Sequence, residues 1–390
     1  MSDHGRLSVL QVVWRLSDTG GIPQVVRRLV AGLDRGLIDI HVCTARPLAS
    51  QDAVDDLGPG ISFHTLGIEG DRTLRSRMSG SLRLLQLIRN LRPEIVHIHS
   101  GVTWLLVPTI VGGFHRKPSI IEVHDSPQSG RVSTANWVVE RWLLRRKRSV
   151  ALVHSKAVES ALASAVGAGC PKIWTIPIGL SLAGAGSAAD ASEWRRRNHI
   201  SSDELIVTYV GRLVLSKRPE MFVQLASQIG QSVPTAFFVL AGDGPNRKDL
   251  EDLARSIAVG DRLLIRGREP DLPGLLAASA IFVSTSEYEG FGMAILEAMA
   301  ATTAVVATKV GATEELVVPG VNGLLVEPND PSALVEAVRY LLEHPDVRSR
   351  MASEGRRRVE EEYDVSTMVS RYQDLYLAVA PHDRVGSSGT

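Results

Sequence analysis

The chain has 390 residues, 44% of them apolar, and acidic and basic side chains balance at 43 each. That length exceeds one ordinary core and predicts two domains, and the composition excludes a disordered chain. Two cysteines, Cys43 and Cys170, exclude a disulfide framework or a cysteine-built zinc site.

The start, MSDHGRLSVLQVVWRL, lacks a basic segment before a long apolar core, so no secretory signal is expected. No uncharged apolar run reaches the length of a membrane span; VTWLLVPTIVGGF comes nearest and carries a proline and two glycines. A cytoplasmic protein is the expectation. The charge is unevenly spread: residues 1–185 hold 22 Lys+Arg against 14 Asp+Glu, and the remainder 21 against 29, a difference of +8 in one half and −8 in the other. A basic first half suits an anionic acceptor or a lipid headgroup surface. Nucleic acid is not an expected partner.

Along the chain, short apolar runs alternate with amphipathic stretches. The first run, LSVLQVVW, leads through LSDTGG into GIPQVVRRLVAGL, a strand, a turn and a helix. Gly20 and Gly21 stand at that turn, where the backbone can approach a phosphate or an acceptor sugar. The runs IDIHVCTA, ISFHTLGI and EIVHIHS follow. In the last, His97 and His99 share one face of a strand, a spacing compatible with a metal. No third ligand is apparent in sequence, so they read as satisfied strand histidines. SIIEVHD ends another strand with His124 and Asp125, and a histidine there can hydrogen-bond a sugar or phosphate. RWLLRRKRSV is a basic cluster around Trp142; it reads as a solvated helix end or as a contact for anionic lipid. SVALVHS and KIWTIPIG complete seven runs in the first half. The small, weakly apolar stretch LAGAGSAADAS reads as a linker, placed at 181–200 between a first domain at 1–180 and a second at 201–362.

Six runs follow: LIVTYVG, TAFFVLAG, RLLIRG, AIFVSTS, AVVATKV and GLLVEP. Continuous apolar strands separated by helices imply parallel sheets covered on both faces. The fold class is therefore α/β, two doubly wound Rossmann-like domains facing across a cleft. Ligands of such sheets bind beyond the carboxyl ends of the strands. After LIVTYV comes GRLVLSK, whose Arg212 and Lys217 can neutralise a diphosphate without a metal. GDGP, with Gly242 and Gly244, does not complete a dinucleotide fingerprint, and its glycines are expected to keep the loop close to the ligand. SEYEGFGMAILEAMA sets Glu289 at a strand end and Glu297 within the next helix, with Gly290, Phe291, Gly292 and Met293 between. Two carboxylates leaning on one turn suit vicinal hydroxyls, one set on a sugar and one on a ribose; a loop charge and a helix-dipole residue are the bland alternative. No Asp-x-Asp pair or metal-spaced cluster accompanies them, so no metal cofactor is expected.

Together these stretches resemble the GT-B glycosyltransferases of the retaining family 4 type, nearly end to end. EGFGMAILE is similar to that family's paired-glutamate motif, GRLVLSK to its phosphate motif, and GGIPQVV, EVHD and VHSKAVESAL occupy matching places in the first half. The resemblance implies that Arg212 and Lys217 hold the donor diphosphate, with Gly20, Gly21 and Gly244 lining the donor site. Glu297 is then a ribose ligand. Glu289, with backbone amides from Gly290 to Met293, holds the sugar, and His124 lies near the reacting carbon. It further implies a nucleoside-diphosphate sugar as donor, a glycan or lipid-linked acceptor, retention of anomeric configuration, and a last helix at 363–380 returning to the first domain ahead of a loose tail at 381–390. One departure stands out: IPIGLS has Ile178 and Ser181 where the family commonly has Asn and Asp. An epimerase of similar architecture, a glycosyl phosphorylase and a silent partner subunit are the competing readings.

Overall fold

The computed structural model describes residues 5–16, 21–47, 57–58, 60–69, 74–107, 110, 117–125, 134–257 and 259–381. The chain divides into two compact units, Met1–Gly179 with Val365–Thr390, and Leu180–Asp364.

The first unit begins with β1 (Leu7–Val13), α1 (Gly21–Gly32), β2 (Ile38–Thr44), β3 (Ser62–Thr65), α2 (Leu74–Leu91), β4 (Ile95–His99) and β5 (Ser119–Glu122). It continues through α3 (Thr134–Leu144), β6 (Ser149–Val153), α4 (Lys156–Val166) and β7 (Ile173–Thr175). All seven strands are parallel, in the order β3-β2-β1-β4-β5-β6-β7. Each of the seven apolar runs forms one of them. The central strands are buried along their whole length because helices cover both faces, and so they show no polar alternation.

The second unit contains α5 (Ala188–Arg197), β8 (Leu205–Val210), α6 (Pro219–Gly230), β9 (Ala236–Ala241), α7 (Arg247–Ser256), β10 (Leu263–Arg266), α8 (Leu272–Ala278) and β11 (Ser279–Ser284). It ends with α9 (Met293–Ala300), β12 (Ala304–Thr308), α10 (Thr313–Leu316), β13 (Leu324–Val326), α11 (Pro331–Glu343) and α12 (Pro345–Glu362). Its six strands are parallel in the order β10-β9-β8-β11-β12-β13. Prolines open α6, α11 and α12, where a missing N–H costs nothing and φ is already helical. The final helix, α13 (Val365–Val379), belongs to the first unit and buries Met368, Val369, Tyr372, Leu375 and Tyr376.

The stretch 181–200, read from sequence as a linker, is structured and lies inside the second unit. Ser187 and Asp190 form a capping box that starts α5, satisfying N–H groups the first turn leaves open. Trp194 is 1% exposed and packs with Ile200, Ile206, Val239 and Leu275. No described helix is long and apolar enough to cross a membrane.

Candidate active site

In each sheet the strand order reverses beside the first strand, between β1 and β4 and between β8 and β11. Loops leaving the two neighbours there run apart and open a crevice. In the second unit these loops carry the predicted residues: Arg212 and Lys217 follow β8, and Glu289 follows β11.

Hydrogen bonds fasten the two loops together. The Thr285 hydroxyl lies 2.9 Å from the Lys217 carbonyl oxygen and 2.8 Å from that of Arg218, and the Glu287 N–H donates to Ser216 O at 3.0 Å. Lys217 and Glu289 then meet as an ion pair, their side chains only 16% and 13% exposed. The Ser286 hydroxyl donates to Glu289 Oε1 at 3.0 Å, and the Ala312 N–H to the Glu289 carbonyl at 3.0 Å, which fixes the carboxylate and its backbone. Arg212 is exposed, and among the described residues its guanidinium has no hydrogen-bonded or ion-paired partner. Tyr209, beneath this loop, has its hydroxyl pKa pushed up by burial, with Glu289 and Glu220 adding to the shift and Arg212 opposing it.

The turn from β11 into α9 needs glycine at one position: Gly292 has φ +97°, and a Cβ there would lie 2.9 Å from Leu316 Cδ1. Gly292 is the helix N-cap and supplies no side-chain cap, so the first N–H groups of α9 remain available to an anion. Phe291 is buried at 8% exposure with its ring edge-on to Tyr363, 6.1 Å between centroids, so its side chain serves packing. Gly290 is buried and Met293, the first residue of α9, half-buried; Glu297 sits one turn further in, also half-buried.

The GDGP loop packs against the Arg212 loop. Its glycines serve loop-to-loop contact: a Cβ on Gly242 would lie 1.8 Å from the Gly211 carbonyl oxygen, and one on Gly244 would lie 2.4 Å from that of Leu213. The Leu213 N–H donates to Asp243 O at 2.9 Å, and the Asn246 N–H to Leu213 O at 3.1 Å. Glycine is thus required so that this loop can support the Arg212 loop from behind.

In the first unit, Gly21 opens α1, and Gly20 lies outside the described residues. His124 follows β5 with its side chain 14% exposed. Sequence reasoning missed what it rests on. Glu122, two residues earlier on the same strand face, is fully buried at the centre of a polar cluster. His97 Nε2 and the Tyr372 hydroxyl approach Oε2, each at 2.9 Å. His99 Nδ1 at 3.0 Å, and His124 Nε2 and His154 Nε2 at 3.2 Å each, surround Oε1. The expectation that His97 and His99 lack a third ligand-type partner is therefore corrected. Two groups, His97–His99–Glu122 and Glu122–His124–His154, have ligand atoms within 4.8 Å of one another and could hold a metal. The Tyr372 hydroxyl and His154 Nε2 hydrogen-bond the carboxylate, and His99 Nδ1 and His124 Nε2 hydrogen-bond each other at 3.0 Å. One sequence signal was available: a glutamate inside an apolar strand buried on both faces must be paired.

Burial alone would raise the Glu122 carboxyl pKa; attraction to His99 and hydrogen bonds from His154, His97 and His99 outweigh it and hold the pKa well below the ordinary carboxylate range. Burial pushes His124 well below the ordinary histidine range and lowers His97 as well, against the pull of Glu122 in both cases.

Two parallel-sheet units with these loops are the architecture of GT-B glycosyltransferases. Anabaena HepE, solved with UDP and glucose, superposes with a TM-score of 0.82 over 96% of this chain and 100% of its own, at 21% identity. Sucrose-phosphate synthase from Thermosynechococcus elongatus superposes at 0.83 over 96% and 99%, also at 21% identity. In sequence, the family described as "Glycosyl transferases group 1" matches residues 190–358, and "Glycosyltransferase Family 4" matches residues 19–183. A glycogen synthase of Mycobacterium tuberculosis is 29% identical over 317 residues, 78% of this chain and 73% of its own. The chain belongs to the GT-B glycosyltransferases of the family 4, group 1 type.

Proposed function

We propose that this glycosyltransferase moves a hexose-type sugar from a nucleoside-diphosphate sugar to a hydroxyl of a glycan, glycolipid or small-molecule acceptor, with retention of configuration, in the synthesis of a cell-surface polysaccharide or glycoconjugate. The observation that carries this reading is the Arg212 guanidinium, without a partner among the described residues, on the same crevice loop as Lys217, where the β11 loop leads into the first turn of α9, which its N-cap leaves without a side-chain cap. The structural relatives solved with UDP and with UDP-glucose support a nucleotide-sugar donor.

The difficult step breaks a glycosyl–phosphate bond while positive charge grows on the anomeric carbon. Negative charge grows on the departing diphosphate, and cations placed there in advance stabilise it with little reorganisation. Arg212 and Lys217 fill that role, so the transfer needs no divalent metal. Lys217 is paired with Glu289. A diphosphate competes for the ammonium and releases Glu289 to accept hydroxyl hydrogen bonds from the sugar. Glu297 holds the ribose, backbone amides from Gly290 to Met293 hold donor oxygens, and Gly244, Gly20 and Gly21 line the donor. His124 contacts the sugar near the reacting carbon. The leaving phosphate oxygen takes the acceptor proton.

The basic cluster of the first unit supports a peripheral contact with an anionic membrane. Lys117, Arg146, Lys147 and Arg148 line a cavity of about 400 Å³, and Trp142 nearby is 42% exposed. Such a contact would place the protein at the inner face of a cell membrane.

The test is a thermal-shift screen of UDP-, GDP- and ADP-sugars, because a ligand bound only by the folded state raises the melting temperature. Transfer is then assayed with the best donor, with and without a chelator, and the product's anomeric configuration is read by NMR. No stabilisation by any nucleotide sugar, or product of inverted configuration, would overturn the reading.

A further inference from the structure

Among the described residues, four other than glycine have left-handed backbone: Arg92, His199, Arg218 and Thr302. Three of them end a helix. Arg92 follows α2, and His199 and Thr302 lie one residue past the C-caps of α5 and α9. A left-handed residue is a common way to stop a helix. Arg218 instead begins one. It is the N-cap of α6, with φ 48° and ψ 48°, and its side chain makes no capping bond. That position favours Ser, Thr, Asn or Asp in extended backbone. A cation there also faces the positive end of the helix dipole. Arginine thus goes against three local preferences at one residue. Such strain persists only where the surroundings hold it, and it concentrates at functional sites.

The guanidinium serves neighbouring loops. Nη1 donates to the Pro328 carbonyl oxygen at 3.0 Å and to Asn329 Oδ1 at 2.6 Å, in the loop leaving β13. Nε lies 3.8 Å from Glu287 Oε1, in the loop leaving β11, and 3.6 Å from Glu220 Oε1, in the first turn of α6. Arg218 therefore ties the β8 loop to the loops of β11 and of β13, the outermost strand on that side of the sheet. Lys217 precedes it, inside the turn that the left-handed residue closes. The Lys217 N–H donates to Val214 O at 2.9 Å, and the Arg218 N–H to Leu215 O at 2.9 Å. The backbone of Lys217 is thereby fixed from both sides, and its ammonium is delivered to Glu289.

We propose that Arg218 is a positioning residue: its guanidinium holds the left-handed turn that aims Lys217 at Glu289 and into the crevice. The aim of Lys217 stands on the geometry; its effect on transfer rests on the function proposed above. Glycine at 218 separates the two properties of the arginine. It accepts the same φ without strain, so the turn is still allowed, but it ties no loop to another and leaves the turn free to adopt other conformations. Lysine keeps the charge and loses the planar fork that reaches several oxygens at once.

The experiment is proton–nitrogen NMR of the lysine ammonium groups in the full chain labelled with ¹⁵N-lysine, with Lys217 assigned by loss of its signal in Lys217→Ala. Wild type is expected to show a Lys217 ammonium protected from exchange with water by its carboxylate partner. In Arg218→Gly that signal should move to the position of an exposed lysine or exchange away, with the melting temperature within a few degrees of wild type; Arg218→Lys should fall between. An unchanged Lys217 signal in Arg218→Gly overturns the proposal. If that variant does not fold, Asn329→Ala, which removes one acceptor of the guanidinium at an exposed site, carries the same readout. With UDP-glucose as the donor probe, Arg218→Gly should lower kcat by up to about 10²-fold, as a misplacement of about 1 Å can, and more than it changes KM. In the Lys217→Ala background it should add no further loss, and a full additional loss there overturns the proposal, because Arg218 would then act on something else. Wild-type turnover in Lys217→Ala counts against the donor reading instead, and the Lys217 signal still decides the positioning.

Discussion

The two units hold their polar chemistry in opposite ways. Around Glu122 the polar groups are buried against one another, the carboxylate meeting His97, His99, His154 and Tyr372 at 2.9–3.2 Å. Around Lys217 and Glu289, one ion pair is partly exposed, the arginine beside it has no partner among the described residues and the adjoining helix has no side-chain cap at Gly292. The first arrangement is turned inward and can only position. The second has open valences at strand ends and can exchange partners with a ligand. A buried polar cluster therefore reads as scaffolding for whatever it touches at its edge, and an incomplete one as a binding site.

Breaking each arrangement should expose that difference. The largest effect is expected for Glu122→Ala, which removes the shared partner of the buried His97, His99, His154 and Tyr372 groups: a loss of about 3–5 kcal/mol in folding free energy, read by urea unfolding, with binding of nucleotide sugar by the remaining folded protein preserved. Lys217→Ala and Arg212→Ala should do the reverse. Each is expected to lower kcat by about 10²–10³-fold, or about 2.7–4 kcal/mol, as loss of one charge-stabilising donor does, with the melting temperature within a few degrees of wild type. Wild-type turnover in both would remove the diphosphate role. Tyr372→Phe removes one donor to a charged acceptor and should cost about 1.5–3 kcal/mol of stability, which would show how far α13 secures the cluster.

Acid sharpens the comparison further. Unfolded His97 and His124 take up protons as pH falls below their ordinary value of 6.5, whereas the folded rings, with lowered pKa, do not. The unfolded state then binds more protons, so stability falls with pH from that point. It falls again below 4.5, where unfolded Glu122 protonates ahead of the folded carboxyl. Melting curves between pH 8 and 4 should follow this course, and Glu122→Gln should lose the lower phase. The smallest effect is expected at Glu289: Glu289→Ala should weaken sugar transfer more than binding of the bare nucleotide, and equal losses in both would argue against its sugar contact.

The sheets were legible because strands buried on both faces must be apolar throughout, and thirteen such runs stand out between amphipathic helices. The loops at the second switch point were legible for a related reason. Arg212, Lys217 and Glu289 lie just past strand ends, where parallel sheets leave room for ligands. Helix α5 was not legible. Its composition, AADASEWRRR, is small and polar, and only the Ser187–Asp190 box and one buried tryptophan mark it. Glu122 was passed over beside His124, because its meaning lies in residues remote along the chain.

By itself, then, the sequence determined the strands, their parallel pairing and the positions of groups that face outward from strand ends, since each follows from local periodicity and from the geometry common to such sheets. Only the tertiary structure decided which charges meet. Lys217 finds Glu289 across 72 residues, and Tyr372 finds Glu122 across 250. Electrostatic and hydrogen-bond partnerships depend on distance in space and on exclusion of water, and neither quantity is carried by the order of residues in a chain.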